Sequence, residues 1–344
     1  MSIVMTGGGT GGHLAIIRAV KEQVAVGLAS ADQKNPTLIY IGSTQGQDRQ
    51  WFADDEDFAA RYFLATKGVV NQRGLGKLGS LWMLFKAFLQ ARKLLKNHQA
   101  SVVFSVGGFS AAATAFAAKS LRIPLVIHEQ NAALGSLNKL MRPVADVFIS
   151  SYEPESPVHA YPIKQIFFDK ARVREQVRTV IFLGGSQGAQ AINTLALALA
   201  PTLAERGIRI IHQAGERNID ATRAAYTELG IEAEVFGFTD ALADYMAEAD
   251  FAVARAGAST LWELAATALP TLFIPFPYAA SDHQYHNAQF LVEQDLAWLM
   301  REGAIERDTI IALLDEDMSE RSRGLMAIIE PNGAAQIAEI LSRF

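Results

Sequence analysis

Three glycine-rich loops constrain the fold of this chain more than any other feature of its sequence. They occupy residues 7–13 (GGGTGGH), 105–110 (SVGGFS) and 184–189 (GGSQGA), and each joins a short apolar run to a segment of helical spacing. Glycine lets a backbone approach a ligand closely, and the start of the following helix offers N–H groups and a partial positive charge. Three such loops, spread over two halves of one chain, predict a protein that binds phosphates in a cleft between two domains.

Short β-rich runs alternate with longer helical segments along the whole chain. Apolar strands that alternate with helices indicate parallel sheets covered on both faces, with ligands at the carboxyl ends of the strands. The alternation restarts near residue 179, so we predict an α/β fold of two doubly wound, Rossmann-like domains. The predicted strands are 3–5, 37–41, 102–106, 125–128, 147–150, 179–183, 209–212, 233–236, 251–254 and 271–274, and the clearest helices are 14–28, 110–120 and 189–206.

Length and composition favour two globular domains, each with its own hydrophobic core. A chain of 344 residues favours two domains, and the proline-containing stretch 151–169 is the predicted boundary. Cysteine is absent, which excludes a disulfide scaffold, a thiolate metal site and a cysteine nucleophile. No apolar run approaches the roughly 18–20 residues of a membrane-spanning helix, and residues 1–5 are interpreted as a strand. We therefore expect a cytosolic or peripheral protein.

The charge is distributed unevenly between the two halves. Residues 1–150 carry 16 Lys and Arg against 9 Asp and Glu, whereas residues 151–344 carry 15 against 27. A basic half joined to an acidic half suggests that the first half faces an anionic partner, either a membrane surface or a nucleic acid. The alternative is an uneven surface charge without a function.

The first loop ends in a histidine that could act on a ligand. Gly7, Gly9 and Gly12 meet the spacing of a dinucleotide fingerprint, but Asp32 precedes the second predicted strand instead of ending it. The loop therefore gives little support to a nicotinamide cofactor. His13 stands where an imidazole could reach a ligand over the helix N-terminus, and the alternative is a histidine that only closes the turn.

Two further clusters follow predicted strands. Residues 128–131 (HEQN) end an apolar strand in four polar side chains, where α/β proteins bind ligands, although a surface loop is the structural alternative. Residues 254–264 (ARAGASTLWEL) join a strand to a helix whose start suits a diphosphate, with Glu263 able to accept two hydrogen bonds from a ribose. Otherwise, Ser259 is an N-cap and Glu263 only complements the helix dipole. The polar groups of 282–287 (DHQYHN) favour the binding site, because they follow the next strand.

Together, in this order, these motifs resemble those of the MurG family, the N-acetylglucosaminyltransferases of peptidoglycan synthesis. The resemblance runs along nearly the whole chain, and HEQN combined with GGSQGA is close to diagnostic. It implies the GT-B architecture, with two Rossmann-like domains facing across a deep cleft. It also implies transfer of GlcNAc from UDP-GlcNAc to the C4 hydroxyl of the MurNAc unit in lipid I, with inversion, to give lipid II.

The resemblance also assigns the domains and the site residues. Residues 1–160 would form the acceptor- and membrane-facing domain, residues 161–330 the UDP-GlcNAc-binding domain, and 331–344 a C-terminal helix that packs back on the first domain. The donor would contact Thr10, Gly11, Gly12, Asn131, Lys164, Ser186, Thr239, Ala258, Ser259, Thr260, Glu263, His283 and Gln284. The diphosphate of the acceptor would contact Gly8, Gly9, Gly107, Gly108 and Ser110.

For the chemistry we expect a base and a stabilised leaving group. His13 is the expected base, with Glu129 as its rival, and the helix start at 257–260 would hold the departing diphosphate. No Asp-x-Asp metal signature lies near the donor site, so no metal or other cofactor is expected. Two departures from the family pattern are Lys164 in place of an arginine, which loses the bidentate fork, and Leu14–Ile17 in place of a proline-containing turn.

The segment 73–96 is the predicted membrane contact. Its apolar residues cover about half of the helical circumference, wider than the ~100° stripe of a core-facing helix, and basic residues flank them. We expect Leu75, Leu78, Trp82, Phe85 and Lys86 to face anionic lipid, with packing on the first sheet as the alternative. The expected location is the cytoplasmic face of the bacterial inner membrane, with UDP-GlcNAc, lipid I and other cell-wall synthesis proteins as partners and no nucleic acid.

Three other functions share parts of this pattern. A GT-B enzyme that glycosylates another membrane lipid would keep the donor loops and differ at residues 70–140. A UDP-GlcNAc 2-epimerase would share the architecture but has no need of a membrane patch. A non-catalytic nucleotide-sugar-binding module is the third alternative.

Overall fold

The computed structural model describes residues 1–29, 36–68, 75–185 and 188–344, without the side chains of residues 27–29 and 75–77. The chain forms two compact units. The first comprises Met1–Ile163 together with Asn332–Phe344, and the second comprises Lys164–Pro331. No helix among the described residues combines the length and the apolar character needed to cross a bilayer.

The first unit is built on a six-stranded, fully parallel sheet in the order β3-β2-β1-β4-β5-β6. Its strands are β1 (Ser2–Thr6), β2 (Thr37–Ser43), β3 (Ala60–Leu64), β4 (Val102–Ser105), β5 (Leu125–Glu129) and β6 (Val147–Ser150). Its helices are α1 (Gly11–Ala29), α2 (Asp48–Phe52), α3 (Leu75–Asn97), α4 (Ala112–Ser120), α5 (Ser136–Met141) and the C-terminal α14 (Gly333–Leu341), with a 3₁₀ turn at Arg142–Val144.

Burial on both faces explains why these strands are continuously apolar. All five residues of β1 are buried, and its central residues Ile3, Val4 and Met5 have no exposed surface. One face of the sheet packs on α3 through Ala87, Ala91 and Leu95 and on α4 through Ala113 and Ala117. Helix α14 packs on α1, so the last residues of the chain belong to the first unit.

The second unit repeats this plan with a parallel sheet in the order β12-β11-β10-β7-β8-β9. Its strands are β7 (Thr179–Leu183), β8 (Arg209–Gln213), β9 (Glu234–Phe236), β10 (Phe251–Ala254), β11 (Thr271–Phe273) and β12 (Trp298–Leu299). Its helices are α6 (Gln165–Asp169), α7 (Gln190–Glu205), α8 (Ile219–Glu228), α9 (Leu242–Glu248), α10 (Ala258–Ala266), α11 (His283–Val292), α12 (Arg307–Leu313) and α13 (Ser319–Ile328), with 3₁₀ turns at Ala280–Asp282 and Glu302–Ala304.

The two sheets have the same topology. In each, the first strand of the unit is central, the next two strands lie on one side and the last three on the other, which is the Rossmann strand order. The order reverses between β1 and β4 in the first unit and between β7 and β10 in the second. The predicted α/β fold of two Rossmann-like halves is confirmed, and all ten predicted strands are present.

A buried arginine organises the core of the second unit. Arg174 has no exposed surface, and its guanidinium donates hydrogen bonds to the carbonyl oxygens of Met246 (2.9 Å), Ala249 (3.1 Å) and Thr267. These carbonyls lie at the C-terminal ends of α9 and α10, where a positive charge is favourable. Burial lowers the pKa of Arg174 to about 9, so the side chain remains charged at neutral pH.

Candidate active site

Both units place glycine-containing loops at the point where the strand order reverses, which is where open α/β sheets bind ligands. In the first unit the loop after β1 touches the loop after β4. Val106 N donates to the Thr6 carbonyl over 3.0 Å, and a Cβ on Gly108 would lie 2.5 Å from the carbonyl oxygen of Gly8. The two backbones can approach this closely only because Gly108 has no side chain.

The residues expected to hold the acceptor diphosphate lie at this junction, but their polar groups differ in availability. Gly8 and Gly107 are buried, and the N–H of Gly9 donates to the carboxylate of Asp48 over 2.7 Å. The Ser110 hydroxyl is buried and has no hydrogen-bond partner among the described residues. The junction is thus shaped by internal contacts as well as by whatever ligand it receives.

The structure brings His13 together with the HEQN segment. Helix α1 begins at Gly11, earlier than the predicted Leu14, so Gly11, Gly12 and His13 form its first turn. Nδ1 of His13 lies 2.9 Å from the Thr10 hydroxyl, and the amide nitrogen of Gln130 lies 3.2 Å from Nε2 and 3.3 Å from Nδ1. The imidazole is therefore held at the ligand-binding edge of the first sheet.

His128 and Glu129 point into the protein and not into solvent. His128 has no exposed surface, and its ring meets Tyr161 edge-on with centroids 5.6 Å apart. Burial, together with the proximity of His13, lowers the pKa of His128 to about 3. This side chain is a neutral imidazole at physiological pH.

The carboxylate of Glu129 is occupied by neighbouring donors. Its Oε1 accepts the N–H of Asn131 at 3.0 Å, and its Oε2 accepts the N–H of Gly135 at 2.9 Å and the amide of Asn138 at 3.0 Å. Glu129 is buried, and these bonds fix the loop that runs from β5 to α5. Asn131, an expected donor contact, begins this loop.

Asp48 and Asn138 contact the predicted site residues, although no sequence motif points to either of them. Asp48 bonds to Gly9 across 39 positions of sequence, and Asn138 bonds to Glu129 across 9. No local spacing signals the first of these contacts. What the two residues share is a place in the first turn of a short helix.

In the second unit, the residues predicted to hold a diphosphate lie at the start of α10. The loop after β10 ends at Gly257, and Ala258, Ser259 and Thr260 form the first turn of α10, at the positive end of its dipole. Glu263 lies one turn further on. Burial raises the pKa of Glu263 to about 8, and the positive charge of Lys164 opposes this rise.

Helix α11 is attached to the same edge of the second sheet. The amide of Asn287 donates to the Ala256 carbonyl over 3.2 Å, and Oε1 of Gln284 accepts the N–H of Phe276 over 2.8 Å. The turn before α11 is strained, because Ser281 and Asp282 have φ values of 53° and 50°. Nδ1 of His283 donates to the carbonyl of Ala280 over 2.8 Å within this turn.

Two other predicted donor contacts lie apart from α10 or outside the description. Thr239 follows β9, which is the edge strand three positions from β10 in the sheet, and its hydroxyl accepts the N–H of Ala241 over 3.1 Å. Ser186 and Asp32 lie outside the described residues. Among the residues that are described, no group of three or more His, Cys, Asp or Glu side chains could hold a metal ion.

Helix α3 exposes a ridge of large apolar side chains. We call Leu78, Leu81, Trp82, Phe85 and Leu89 the α3 ridge; their exposed fractions are 64%, 44%, 58%, 49% and 49%. Trp82 stacks on Phe85 with centroids 5.8 Å apart, and the Lys86 ammonium lies 5.4 Å from the Trp82 ring. Leu84 and Phe88 pack inward against the core, and the side chain of Leu75 is not described.

Comparison with known proteins identifies relatives over the full length. Residues 3–149 match the glycosyltransferase family 28 N-terminal domain and residues 179–341 match its C-terminal domain. A protein of a Sulfurovum species is 70% identical over 344 residues, covering 100% of this chain and 99% of the relative. A Sulfurimonas denitrificans protein is 53% identical over 326 residues, covering 95% of this chain and 94% of the relative. Both are named UDP-N-acetylglucosamine–N-acetylmuramyl-(pentapeptide) pyrophosphoryl-undecaprenol N-acetylglucosamine transferase.

Solved structures give the same result at the level of the fold. The crystal structure of Acinetobacter baumannii MurG matches with a TM-score of 0.76 and 25% identity, covering 100% of this chain and 99% of that one. A UDP-GlcNAc 2-epimerase from Neisseria meningitidis matches with a TM-score of 0.59 at 12% identity, covering 100% and 99%. At that identity the epimerase shares the fold alone.

Proposed function

The chain belongs to glycosyltransferase family 28 and, within it, to the MurG family, and from this premise we propose the reaction that it catalyses. It transfers GlcNAc from UDP-GlcNAc to the C4 hydroxyl of the MurNAc unit in undecaprenyl-diphosphate-linked MurNAc-pentapeptide (lipid I). The product is lipid II, with inversion at the sugar carbon. The observation that carries this proposal is the 70% identity, over the whole chain, to a relative named as this transferase.

His13 is the proposed general base. For Nε2 to accept the proton of the attacking hydroxyl, Nδ1 must carry the other ring proton and donate it to a neighbour. The Thr10 oxygen, 2.9 Å from Nδ1, is positioned to accept that hydrogen bond. The Gln130 amide nitrogen lies 3.2 Å from Nε2.

Glu129 is the weaker candidate for the base. Both of its carboxylate oxygens are already engaged by donors within the protein. Three strong donors, from Asn131, Gly135 and Asn138, surround its two oxygens. We therefore assign Glu129 the role of holding the loop that carries Asn131, and we leave proton transfer to His13.

The second unit is the proposed donor site. The first turn of α10 would stabilise the diphosphate of the leaving UDP through its N–H groups and dipole, without a metal ion. Glu263, one turn further along α10, would accept hydrogen bonds from the ribose hydroxyls. Lys164, whose charge is felt by Glu263, would replace the family arginine as the nearby cation.

The α3 ridge is the proposed membrane contact. Its exposed leucines and aromatics are bordered by Lys86, and an apolar strip with basic neighbours suits the headgroup region of an anionic bilayer. This contact would place the enzyme at the cytoplasmic face of the inner membrane, where the lipid-linked acceptor and other cell-wall synthesis proteins are found.

A transfer assay with separated products tests the proposed function. Purified protein is incubated with UDP-[¹⁴C]GlcNAc and a lipid I analogue, and the label is followed into a disaccharide-diphospholipid. Parallel reactions contain diacylglycerol as the acceptor or no acceptor, and the latter is analysed for UDP-ManNAc. Label in the lipid I analogue supports the proposal. Label in diacylglycerol alone, epimerised nucleotide sugar alone, or binding without turnover would each assign one of the alternatives.

A further inference from the structure

A carboxylate that takes no part in the proposed chemistry lies directly behind the first glycine loop. Asp48, the first residue of α2, has no exposed surface. Its Oδ2 accepts the N–H of Gly9 at 2.7 Å, and its Oδ1 accepts the N–H of Ser43 at 2.9 Å and lies 3.0 Å from the Tyr40 hydroxyl. One buried side chain therefore ties β2 and α2 to the loop after β1.

The surroundings of Asp48 are packed around these bonds. A Cβ on Gly8 would lie 2.7 Å from Oδ1 of Asp48, and a Cβ on Gly42 would lie 2.6 Å from the same atom. The Tyr40 hydroxyl also lies 2.9 Å from the Gly7 carbonyl, and its ring packs edge-on against Phe52 with centroids 4.6 Å apart. The glycines at these positions make room for the carboxylate and not only for a ligand.

The hydrogen bond between Asp48 and Gly9 lies one residue from the contact that holds the proposed base, His13. Gly9 precedes Thr10, and the Thr10 hydroxyl contacts Nδ1 of His13. We propose that Asp48 is a positioning residue for the transfer reaction, which fixes the first glycine loop so that Thr10 holds the reactive tautomer of His13. This inference rests on the proposed function, in which His13 takes the proton of the acceptor hydroxyl.

The same bond changes how the loop meets its ligand. A loop that served only as an anion nest would direct its N–H groups outward. Here the N–H of Gly9 is turned inward to a carboxylate, so it is not available to the acceptor diphosphate. The loop is therefore built to set the direction of the following helix start as well as to receive phosphate.

The test compares Asp48→Asn and Tyr40→Phe with Asp54→Asn as the matched control. Asp54 is an exposed acid in the turn after α2, so its variant removes the same charge without touching the loop. The carboxylate of Asp48 accepts hydrogen bonds from the N–H groups of Gly9 and Ser43. The side-chain NH₂ of an asparagine at position 48 would face at least one of these N–H groups, so that donor would lose its acceptor. Because a misplacement of about 1 Å can cost about 100-fold in rate, we expect kcat to fall about 30- to 100-fold in Asp48→Asn and about 5-fold in Tyr40→Phe. The affinity for UDP, measured by calorimetry, should stay within about twofold.

A second readout follows His13 itself. In NMR titrations, with His13→Ala used to assign the signal, Asp48→Asn should lower the pKa of His13 by about half a unit, since a negative charge and an ordered acceptor for Nδ1–H are both lost. His128, whose pKa is lowered to about 3, is neutral throughout this range. Asp54→Asn should leave the His13 titration in place.

Each result decides the inference. It is overturned if Asp48→Asn keeps kcat within about twofold of the wild type, or if its His13 titration matches that of the control. It is also overturned if the activity of Asp48→Asn falls only in proportion to its folded fraction, which thermal unfolding measures. In that case Tyr40→Phe, assayed at a low temperature at which it is folded, should show the kcat of the wild type. Failure of the wild type to modify the lipid I analogue would instead reject the proposed function, and the His13 titration would still decide whether Asp48 positions that side chain.

Discussion

The hydroxyl of Thr10 and Nδ1 of His13 lie 2.9 Å apart at the start of the same helix. Since an imidazole that acts as a base through Nε2 must keep its proton on Nδ1, this contact links a threonine of the glycine loop to the chemistry of the site. Thr10 was expected only to contact the donor. The proposed mechanism gives it a second role, that of holding the proton on Nδ1 of His13, and this role separates two otherwise similar substitutions.

Substitutions at Thr10 and His13 should differ in a characteristic way. His13→Ala should lower kcat by about 10²- to 10⁴-fold, the usual contribution of a general base. Thr10→Val removes the acceptor for Nδ1–H at nearly constant volume and should lower kcat about tenfold, whereas Thr10→Ser restores the hydroxyl and should retain most of the activity. Steady-state kinetics with a lipid I analogue gives these values. Near-normal turnover of His13→Ala with intact UDP binding would assign the base elsewhere.

Glu129→Gln distinguishes a loop-holding residue from a base. The glutamine amide would face N–H groups of Asn131 or Gly135 that now meet a carboxylate, so at least one donor loses its partner at a cost of about 1–3 kcal/mol. We expect a lower thermal midpoint and reduced kcat, but an acidic limb of the pH–rate profile that stays where it is in the wild type. Loss of that limb would instead identify Glu129 as the titrating base. Asn138→Ala serves as a control, because it removes one donor to the same carboxylate without changing residue 129 or adding a titratable group.

The sequence predicted the parts of the fold that depend on local patterns. Strands such as Val102–Ser105 are continuous apolar runs, because they are buried on both faces, and they were found without a structure. The edge strands Ala60–Leu64 and Trp298–Leu299 were missed. Ala60–Leu64 has four half-buried residues and mixes apolar with charged side chains, so it lacks a continuous apolar run. Trp298–Leu299 has only two residues. Such strands owe their existence to a neighbouring strand and not to their own composition.

The site was predicted less completely, for a related reason. Spacing placed His13 beside a glycine loop, but it could not show that Gly9 bonds to Asp48 or that Glu129 is surrounded by donors. These contacts depend on which loops the sheet order brings together. In α3, helical periodicity predicted an apolar surface wider than a core-facing helix needs. Only the packing shows that Phe88 points inward and Trp82 outward.

Removing the buried Arg174 should destabilise the second unit strongly. Arg174→Met keeps much of the volume but leaves the carbonyls of Met246 and Thr267 without their charged donor, and each buried carbonyl that loses its partner typically costs about 1–3 kcal/mol. We expect a clear fall in the urea midpoint. Arg178→Met, at an exposed side chain nearby, should change stability by no more than about 0.5 kcal/mol. Equal effects of the two substitutions would contradict the role assigned to Arg174.

The α3 ridge makes membrane binding testable in isolation from catalysis. Trp82→Glu/Phe85→Glu should lower partitioning onto anionic phospholipid vesicles by about 100-fold, because two aromatic side chains each contribute at least about 1.5 kcal/mol when buried. Leu229→Glu/Met326→Glu, which changes two similarly exposed apolar residues of the second unit, is the matched control and should bind normally. The ridge variant should lose activity on vesicle-bound lipid I and retain it on a short-chain, water-soluble analogue. Normal vesicle binding by a folded ridge variant would exclude this surface.

Glu263 should make nucleotide binding depend on pH with a defined sign. Its pKa of about 8 means that the free protein holds a proton on this carboxyl at pH 7, whereas the proposed bonds from the ribose hydroxyls favour the ionised form. Binding of UDP must then release a proton, and its affinity should rise by up to about tenfold per pH unit between pH 6 and pH 8 and level off above that. Calorimetry in buffers of different ionisation enthalpy measures the released proton, and Glu263→Gln should abolish both the release and the slope.

The folding stability depends on pH in the opposite direction, again because of Glu263. The folded chain keeps a proton that the unfolded chain, with a pKa near 4.5, gives up, so stability falls as the pH rises from about 4.5 through about 8. Glu263→Gln should therefore raise the thermal midpoint at pH 8 while it weakens UDP binding. A lower thermal midpoint together with weaker UDP binding would show that Glu263 supports the fold and not the ribose.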